Sequence, residues 1–404
     1  MKNWVTKKLG EVYDVRDGTH DSPKYVKEGY ALITSKNLKN DNLNYDNVNY
    51  ITEVDYLNIN KRSKVDVGDV LFAMIGTIGN PIVIKNEPDF AIKNVALFKV
   101  PKNQDSYFLK YYLDSGFVIE QMTKDAKGAT QKFVGLGYLR NFEILLPPLP
   151  EQQRIVAILD TAFAAIAKAK ANAEQNLKNA KELFENYLQG VFENKGEGWE
   201  EKKVNEIGIA QTGTTPKTAD KENYGDFIPF IKPADVDFSG IGDIRYGNEG
   251  LSEIGLKKGR KMERGSTLMV CIGATIGKVG FAEQVVSCNQ QINSLTVKKE
   301  FEPKFIYYAM TSKAFQEKVL LEGKGAQATL PIINKSKWEN LTISFPKSKT
   351  EQKTFVEKFD ALQNETKKLE TIYQQKINDL EELKKSILQK AFSGELETEK
   401  THHK

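Results

Sequence analysis

The sequence predicts an α+β protein: two similar mixed α/β domains joined by two long antiparallel coiled-coil helices, with a pseudo-two-fold internal repeat. Three observations predict it. The second half of the chain repeats the first, each half opens on β-rich runs, and each closes on a corner followed by a long uninterrupted helical period. The expected boundaries are 1–150 for the first globular domain and 151–195 for the first long helix. They are 196–350 for the second domain, 351–395 for the second helix and 396–404 for a polar tail.

The repeat is the strongest signal, because self-similarity at a fixed offset decides architecture before any local reading. Trp4 and the KKLGEV at 7–12 match Trp199 and the KKVNEI at 202–207. VGDVLFAMIGTIG (67–79) matches RGSTLMVCIGATIG (264–277), with one extra residue in the second copy. Tyr111-Tyr112 align with Tyr307-Tyr308, KGATQ (127–131) with KGAQA (324–328), and LFENYLQGVF (183–192) with LKKSILQKAF (383–392). NFEILLPPLPEQQRIVAILD (141–160) matches NLTISFPKSKTEQKTFVEKFD (340–360). The order is the same in both halves, so the chain is an internal duplication.

Within each copy, runs such as YALITSKNL (30–38) and DVLFAMIG (69–76) carry β-branched and aromatic residues between Gly, Asn and Pro, and read as strands. Helices are expected near 105–123 and 303–320. A last strand leads to LLPPLPEQQ (145–153), where proline delays the next helix until after Pro150.

From there the apolar positions step by threes and fours. In the first helix they are Val156, Leu159, Phe163, Ile166, Lys170, Ala173, Leu177, Ala180, Phe184, Tyr187 and Val191. In the second they are Phe355, Phe359, Leu362, Thr366, Leu369, Tyr373, Lys376, Leu380, Leu383 and Ile387. A 3.5-residue period over about five heptads is a coiled-coil seam. Forty such residues extend roughly 60 Å, longer than a domain of about 150 residues is wide, so the two stripes are expected to cover each other. The first helix leads away from domain one and the second returns, which makes the pair antiparallel. Lys170 and Lys376 interrupt the seams near their middles.

Composition sets outer limits. The 404 residues suit two or three domains, and the net charge of +4 does not by itself indicate nucleic acid. No apolar run reaches the ~18 residues of a membrane span, and the N-terminal stretch has no signal-peptide pattern. Two cysteines, Cys271 and Cys288, without CxxC spacing point to a reducing, cytoplasmic setting without a zinc site. His20 is the sole histidine outside the tail pair His402 and His403, which excludes a histidine-based triad or metal cluster. The single Pro-Pro, Pro147-Pro148, lies inside LLPPLP and not in the Asn/Asp-Pro-Pro-aromatic motif of an amino-methyltransferase. GATIGK (273–278) is one residue short of a P-loop, and its counterpart IGTIGNP (75–81) has no lysine, so both read as a shared strand–turn. No catalytic residue and no metal ligand is expected in this chain.

The proline corner with its EQ and apolar helix (145–160), the weaker copy at 344–360, DGTHDSP (17–23) and KGATQ resemble the specificity (S) subunit of type I restriction-modification enzymes. The resemblance spans the whole chain, although the second half carries QTGTTPKT (211–218) in place of the DGTH form. It implies two target-recognition domains, each reading half of a bipartite target on double-stranded DNA, with the helices setting the unread spacer. It further implies two modification (methyltransferase) subunits docked on this chain and restriction subunits completing the complex. Cofactors are then none in this chain, with S-adenosylmethionine and ATP on the partner subunits.

Base edges are read by polar side chains and phosphates by Lys, Arg and backbone N–H groups. The candidate DNA-binding residues of the first domain are Thr19, His20, Lys24, Ser35, Lys36, Asn37, Arg62, Thr77, Lys127, Thr130 and Gln131. Those of the second are Thr214, Thr215, Lys217, Lys232, Lys258, Arg260, Thr275, Lys324 and Gln327. Residues that differ between copies, such as His20, are assigned to bases; Lys127 and Lys324, which recur beside glycine, are assigned to phosphates. The alternative from another class is a structural adaptor with two protein-binding heads on the same helix pair.

Overall fold

The computed structural model describes residues 4–39, 41–128, 132–237, 243–323, 331–393 and 395–396. The chain divides into two compact units, one of Met1–Ala173 with Gln375–Lys404 and one of Glu174–Gln374. Both are built on the same plan.

In the first unit a four-stranded antiparallel sheet has the order Asp14–Asp17, Val95–Lys99, Val70–Ala73, Gly79–Val83. In the second the order is Gly208–Thr212, Ile292–Val297, Thr267–Val270, Val279–Phe281. Val70–Ala73 and Thr267–Val270 are buried at every position, as a sheet covered on both faces requires. Successive side chains then alternate between two cores. Val70, Phe72, Ala96 and Phe98 pack toward the helices, and Leu71, Ala73, Val95 and Leu97 pack toward a second, smaller sheet.

That smaller sheet contains Tyr30–Ile33 flanked by Asn49–Ile51 and, in parallel, Phe90–Ile92. Its counterpart sets Tyr224–Ile231 between Gly250–Leu251 and, again in parallel, Ser287–Cys288. The continuous strand expected over 30–38 ends at Ile33, because Asn37 folds back onto Thr34 and closes a short 3-10 turn over Ser35–Asn37. Each body is closed by pairing its first strand with its last, Val5–Lys8 with Glu143–Leu146 and Trp199–Lys203 with Thr342–Pro346.

The single helix expected near 105–123 is two, Ser106–Asp114 and Gly116–Asp125. Ser115 turns extended between them and its hydroxyl donates to Tyr112 O at 2.5 Å. Ser312 breaks Pro303–Thr311 from Lys313–Gly323 in the same way, donating to Ala309 O at 2.6 Å. These serines correct the sequence alignment by one residue. The tyrosine equivalent to Tyr111 is Tyr308, and both hydroxyls reach the long-helix aspartates, Asp160 at 2.5 Å and Asp360.

The long helices are Leu149–Glu193 and Lys349–Ser393, 45 residues each. The first begins earlier than expected, with Pro150 inside its first turn, where a missing N–H costs no helical bond. The EQ that follows the corner has a structural reason. Gln152 is buried; its Nε2 donates to Pro147 O and Gln104 Oε1, both at 2.8 Å, and its Oε1 accepts from Asp105 N at 3.0 Å. Gln352 repeats the clamp on Pro346 O and Glu302 N, both at 2.8 Å. Each glutamine ties the start of a long helix to the start of the helix beneath it.

The long helices run antiparallel wherever they meet inside a unit. In the first, Leu159 and Phe163 pack with Ile387 and Leu388, and Lys170 Nζ donates to Glu381 at 2.7 Å. In the second, Phe184, Tyr187 and Phe192 gather around Phe359. The seam departs from strict heptads. Leu188 and Phe192 are buried as well as Phe184, Ile377 is buried beside an exposed Lys376, and Leu388 and Phe392 are buried while Leu383 is exposed. A straight helix of 3.6 residues per turn drifts about 20° per heptad, enough to pass the stripe to the next residue along.

Candidate nucleic-acid interface

Sheet register gathers distant loops at one rim of each body. Ala96 pairs with Asp17 and Val95 with Ala73, so the chain after Asp17, after Ala73 and before Val95 emerges at a common edge. In the second body Asn293 pairs with Thr212 and Ile292 with Val270, which brings out the equivalent three segments.

The first crossing on each rim admits only glycine. Gly18 N donates to Val95 O and Thr19 N to Ile92 O, both at 3.0 Å. Gly213 N donates to Ile292 O and Thr214 N to Cys288 O, both at 2.9 Å. A Cβ on Gly18 would lie 2.3 Å from Ile92 O, and one on Gly213 would lie 2.1 Å from Asn289 O.

On this common backbone the two rims carry different chemistry. In the first, Asp17 is only 9% exposed and holds two side chains: Arg62 on Oδ1 and His20, whose Nε2 lies 2.9 Å from Oδ2. His20 Nδ1 lies 2.8 Å from Asn94 Oδ1, Ser35 Oγ donates to Asn94 O at 3.2 Å, and Lys93 Nζ donates to Ser22 Oγ at 2.6 Å. In the second, Thr212 replaces Asp17. Its carbonyl accepts from Arg260 at 2.7 Å, its hydroxyl donates to Asn293 Oδ1 at 2.8 Å, and Thr215 donates to Gln290 Oε1. Arg62 and Arg260 thus reach equivalent points from equivalent elements, the ends of helices Glu53–Ser63 and Glu253–Lys258.

A second pair of loops joins the same edge. Gly76 N donates to Lys132 O at 2.9 Å and Gly273 N to Pro331 O at 3.1 Å. This places the turns of Thr77 and Thr275 beside the segments that follow KGATQ and its copy, through the bridges Ile75–Phe133 and Ile272–Ile332. Thr77 is exposed and Thr275 half-buried; Lys127 is exposed and its backbone forms a two-way pair with Phe133. Thr130, Gln131, Lys324 and Gln327 lie outside the described residues.

The rim therefore unites Thr19, His20, Ser35, Arg62 and Thr77 in one body, and Thr214, Thr215, Arg260 and Thr275 in the other. Lys24, Lys36 and Lys217 are exposed. Three further candidates also have internal partners. Asn37 is buried, accepting from Thr34 N at 2.9 Å and donating to Asn44 O at 2.9 Å. Lys232 is paired with Glu249, and Lys258 donates to Asn223 Oδ1 at 2.8 Å and Glu222 at 3.3 Å. Sequence reasoning passed over Asp17, Lys93, Asn94 and Gln290. The available signal was a polar break between two apolar strands at the same place in each copy, KN at 93–94 and NQQ at 289–291.

The model for the type I restriction modification DNA specificity domain matches twice, over residues 1–178 and 196–382. The chain belongs to this family. Among specificity subunits it is similar to that of the type I restriction enzyme EcoBI from Escherichia coli, 23% identical over 364 residues, covering 81% of this chain and 73% of the relative. The MjaIX subunit of Methanocaldococcus jannaschii is 28% identical over 42% of this chain, and the HindI subunit of Haemophilus influenzae 30% identical over 37%. In those two alignments the chain spans 40% and 32% of the relatives' own lengths. The fold is shared over 98% of the chain with two solved structures. One comes from work on complex assembly and conformational transition of the type I R-M system, with TM-score 0.75, 20% identity, and 98% and 99% of the two chains covered. The other is the HsdS subunit from Thermoanaerobacter tengcongensis, with TM-score 0.61, 19% identity and 98% of each chain covered. No helix among the described residues is long and apolar enough to cross a membrane.

Proposed function

We propose that each rim reads one half of a bipartite sequence on double-stranded DNA, and that the chain acts as the non-catalytic specificity subunit of a type I restriction-modification system. The observation that carries this reading is the rim itself: one backbone built twice, bearing Asp17, His20 and Asn94 in one copy and Thr212, Thr215 and Gln290 in the other. A shared backbone suits a shared partner, the duplex, and unequal polar side chains suit two different half-sites.

In this reading the paired long helices fix the spacer between the half-sites and scaffold two methyltransferase subunits. Those subunits bring S-adenosylmethionine and methylate adenine. Restriction subunits that use ATP join them, and the complex works in the cytoplasm. This chain needs no cofactor of its own, since its task is to position other subunits' chemistry.

The test is to map methylated bases in DNA from cells carrying this chain with its modification subunits. The expected result is adenine methylation within a split, asymmetric motif, lost when the chain is deleted. Methylation that is unchanged by the deletion overturns the proposal. Binding should also weaken steeply with added salt, as counterion release demands.

A further inference from the structure

We propose that the protonation of His20 sets which hydrogen-bonding group Asn94 offers to a base, so that one position of the first half-site is read differently at low and high pH. The inference rests on the half-site reading above and names the residue pair that would carry it.

The geometry is specific. Both nitrogens of the His20 ring face oxygen: Nε2 lies 2.9 Å from Asp17 Oδ2 and Nδ1 lies 2.8 Å from Asn94 Oδ1. Only the imidazolium has two N–H groups with which to donate to both. In that state Asn94 Oδ1 is engaged, and its Nδ2 takes no partner among the described residues, which leaves an N–H donor at the rim. A neutral ring has one N–H. Asp17 is an acceptor only, and its buried carboxylate takes that proton on the Nε2 side. Nδ1 is then a bare lone pair facing an oxygen. Rotating the Asn94 amide by half a turn removes the conflict, because Nδ2 then donates to Nδ1 and Oδ1 faces outward as an acceptor.

Asn94 is well placed for such a rotation. Its backbone is fixed independently of the amide: its N donates to Thr19 O at 3.2 Å, its carbonyl accepts from Ser35 at 3.2 Å, and it holds a left-handed φ of 54° that asparagine tolerates. The side chain can turn without moving the rim. The charged groups around the ring are Asp17 from its own strand and Arg62 on that carboxylate's other oxygen. Lys93 is held by Ser22, and Asp21 follows in the chain, its N–H donating to Thr19 Oγ1 at 3.2 Å. Gain or loss of one ring proton is therefore what selects between the two arrangements.

Among the described residues the second rim has no such device. Thr215 donates to Gln290 Oε1, and that contact contains no ring proton to gain or lose. One half-site should respond to pH and the other should not, within a single molecule.

The experiment uses the full chain assembled with its modification subunits to select from a duplex library, at about pH 5.5 and about pH 8.5. Wild type should shift its preference at one position of one half-site. The shift runs from a base presenting only acceptors in the major groove, guanine or thymine, toward one presenting an amino group, adenine or cytosine. The expected swing is roughly five- to tenfold, the weight of about one net hydrogen bond. His20→Gln should abolish the swing and keep the rest of the motif. Asn94→Gly, which suits the positive φ, should erase preference at that position at both pH values. A wild-type preference unchanged by pH, or a swing that persists in His20→Gln, overturns the inference and leaves the half-site reading standing. Failure to recover any split motif overturns both.

Discussion

At the point where the first rim sets Asp17, His20 and Arg62, the second sets Thr212, Thr215 and Arg260. The strands beneath, the obligatory glycine and the arginine's point of arrival are the same. What changes is the chemistry: a mostly buried carboxyl group shared by an arginine and a histidine in one body, a threonine with a carbonyl-bound arginine in the other. The comparison teaches that this fold separates two tasks. Backbone hydrogen bonds hold the edge in place, and the side chains standing on it are free to differ because none is needed to build the edge.

Three changes test that separation, in falling order of effect. Gly18→Ala and Gly213→Ala each drive a Cβ against a backbone oxygen that cannot yield cheaply, so each should cost about 3 kcal/mol of its own body's stability. Equal losses in thermal unfolding would confirm a common backbone; a tolerated alanine on either rim would break the equivalence. Arg62→Ala and Arg260→Ala should separate the rims. Removing Arg62 strips a nearly buried carboxylate of a charge-assisted bond, and removing Arg260 frees one carbonyl. Binding to duplexes should fall about tenfold for the first and about threefold for the second. Equal losses would mean that the charge difference has no consequence for binding.

The smallest effect concerns acid sensitivity. Hydrogen bonds from Lys318 and Thr342 hold the Glu201 carboxyl below its ordinary value, whereas the equivalent position of the first body is Thr6. A carboxyl depressed on folding adds stability above its unfolded value, and that stability is lost as pH falls through the folded one. Glu201→Gln should therefore flatten the acid limb of the second body's melting profile only slightly, since the pair is exposed and screened. A steeper acid limb in the variant would reverse the sign of this account.

Much of this architecture is legible in the sequence. Apolar runs such as Val70–Ala73 announce a doubly covered sheet, and a shared order of markers announces the duplication. The seam is legible as a stripe and not as a register, because small angular drift over many turns passes burial from one residue to the next, as at Ile377 beside Lys376. The rim is the least legible part. His20 meets Asn94 across 74 positions and Thr215 meets Gln290 across 75, through strand pairings that no local pattern specifies. Local reading therefore found the polar residues of the N-terminal turns and missed their partners. It also selected Asn37, whose amide is consumed by its own turn.

The pairing of Val5–Lys8 with Glu143–Leu146, and of Trp199–Lys203 with Thr342–Pro346, has a consequence for how such a molecule can change. The chain enters and leaves each body through two adjacent strands, like the two legs of a staple. Whatever lies between the legs can lengthen, shorten or be exchanged outright while both ends stay where they are. Each body is thus a cassette with a fixed socket, and what it holds can differ from one body to the other without disturbing the two strands that carry it.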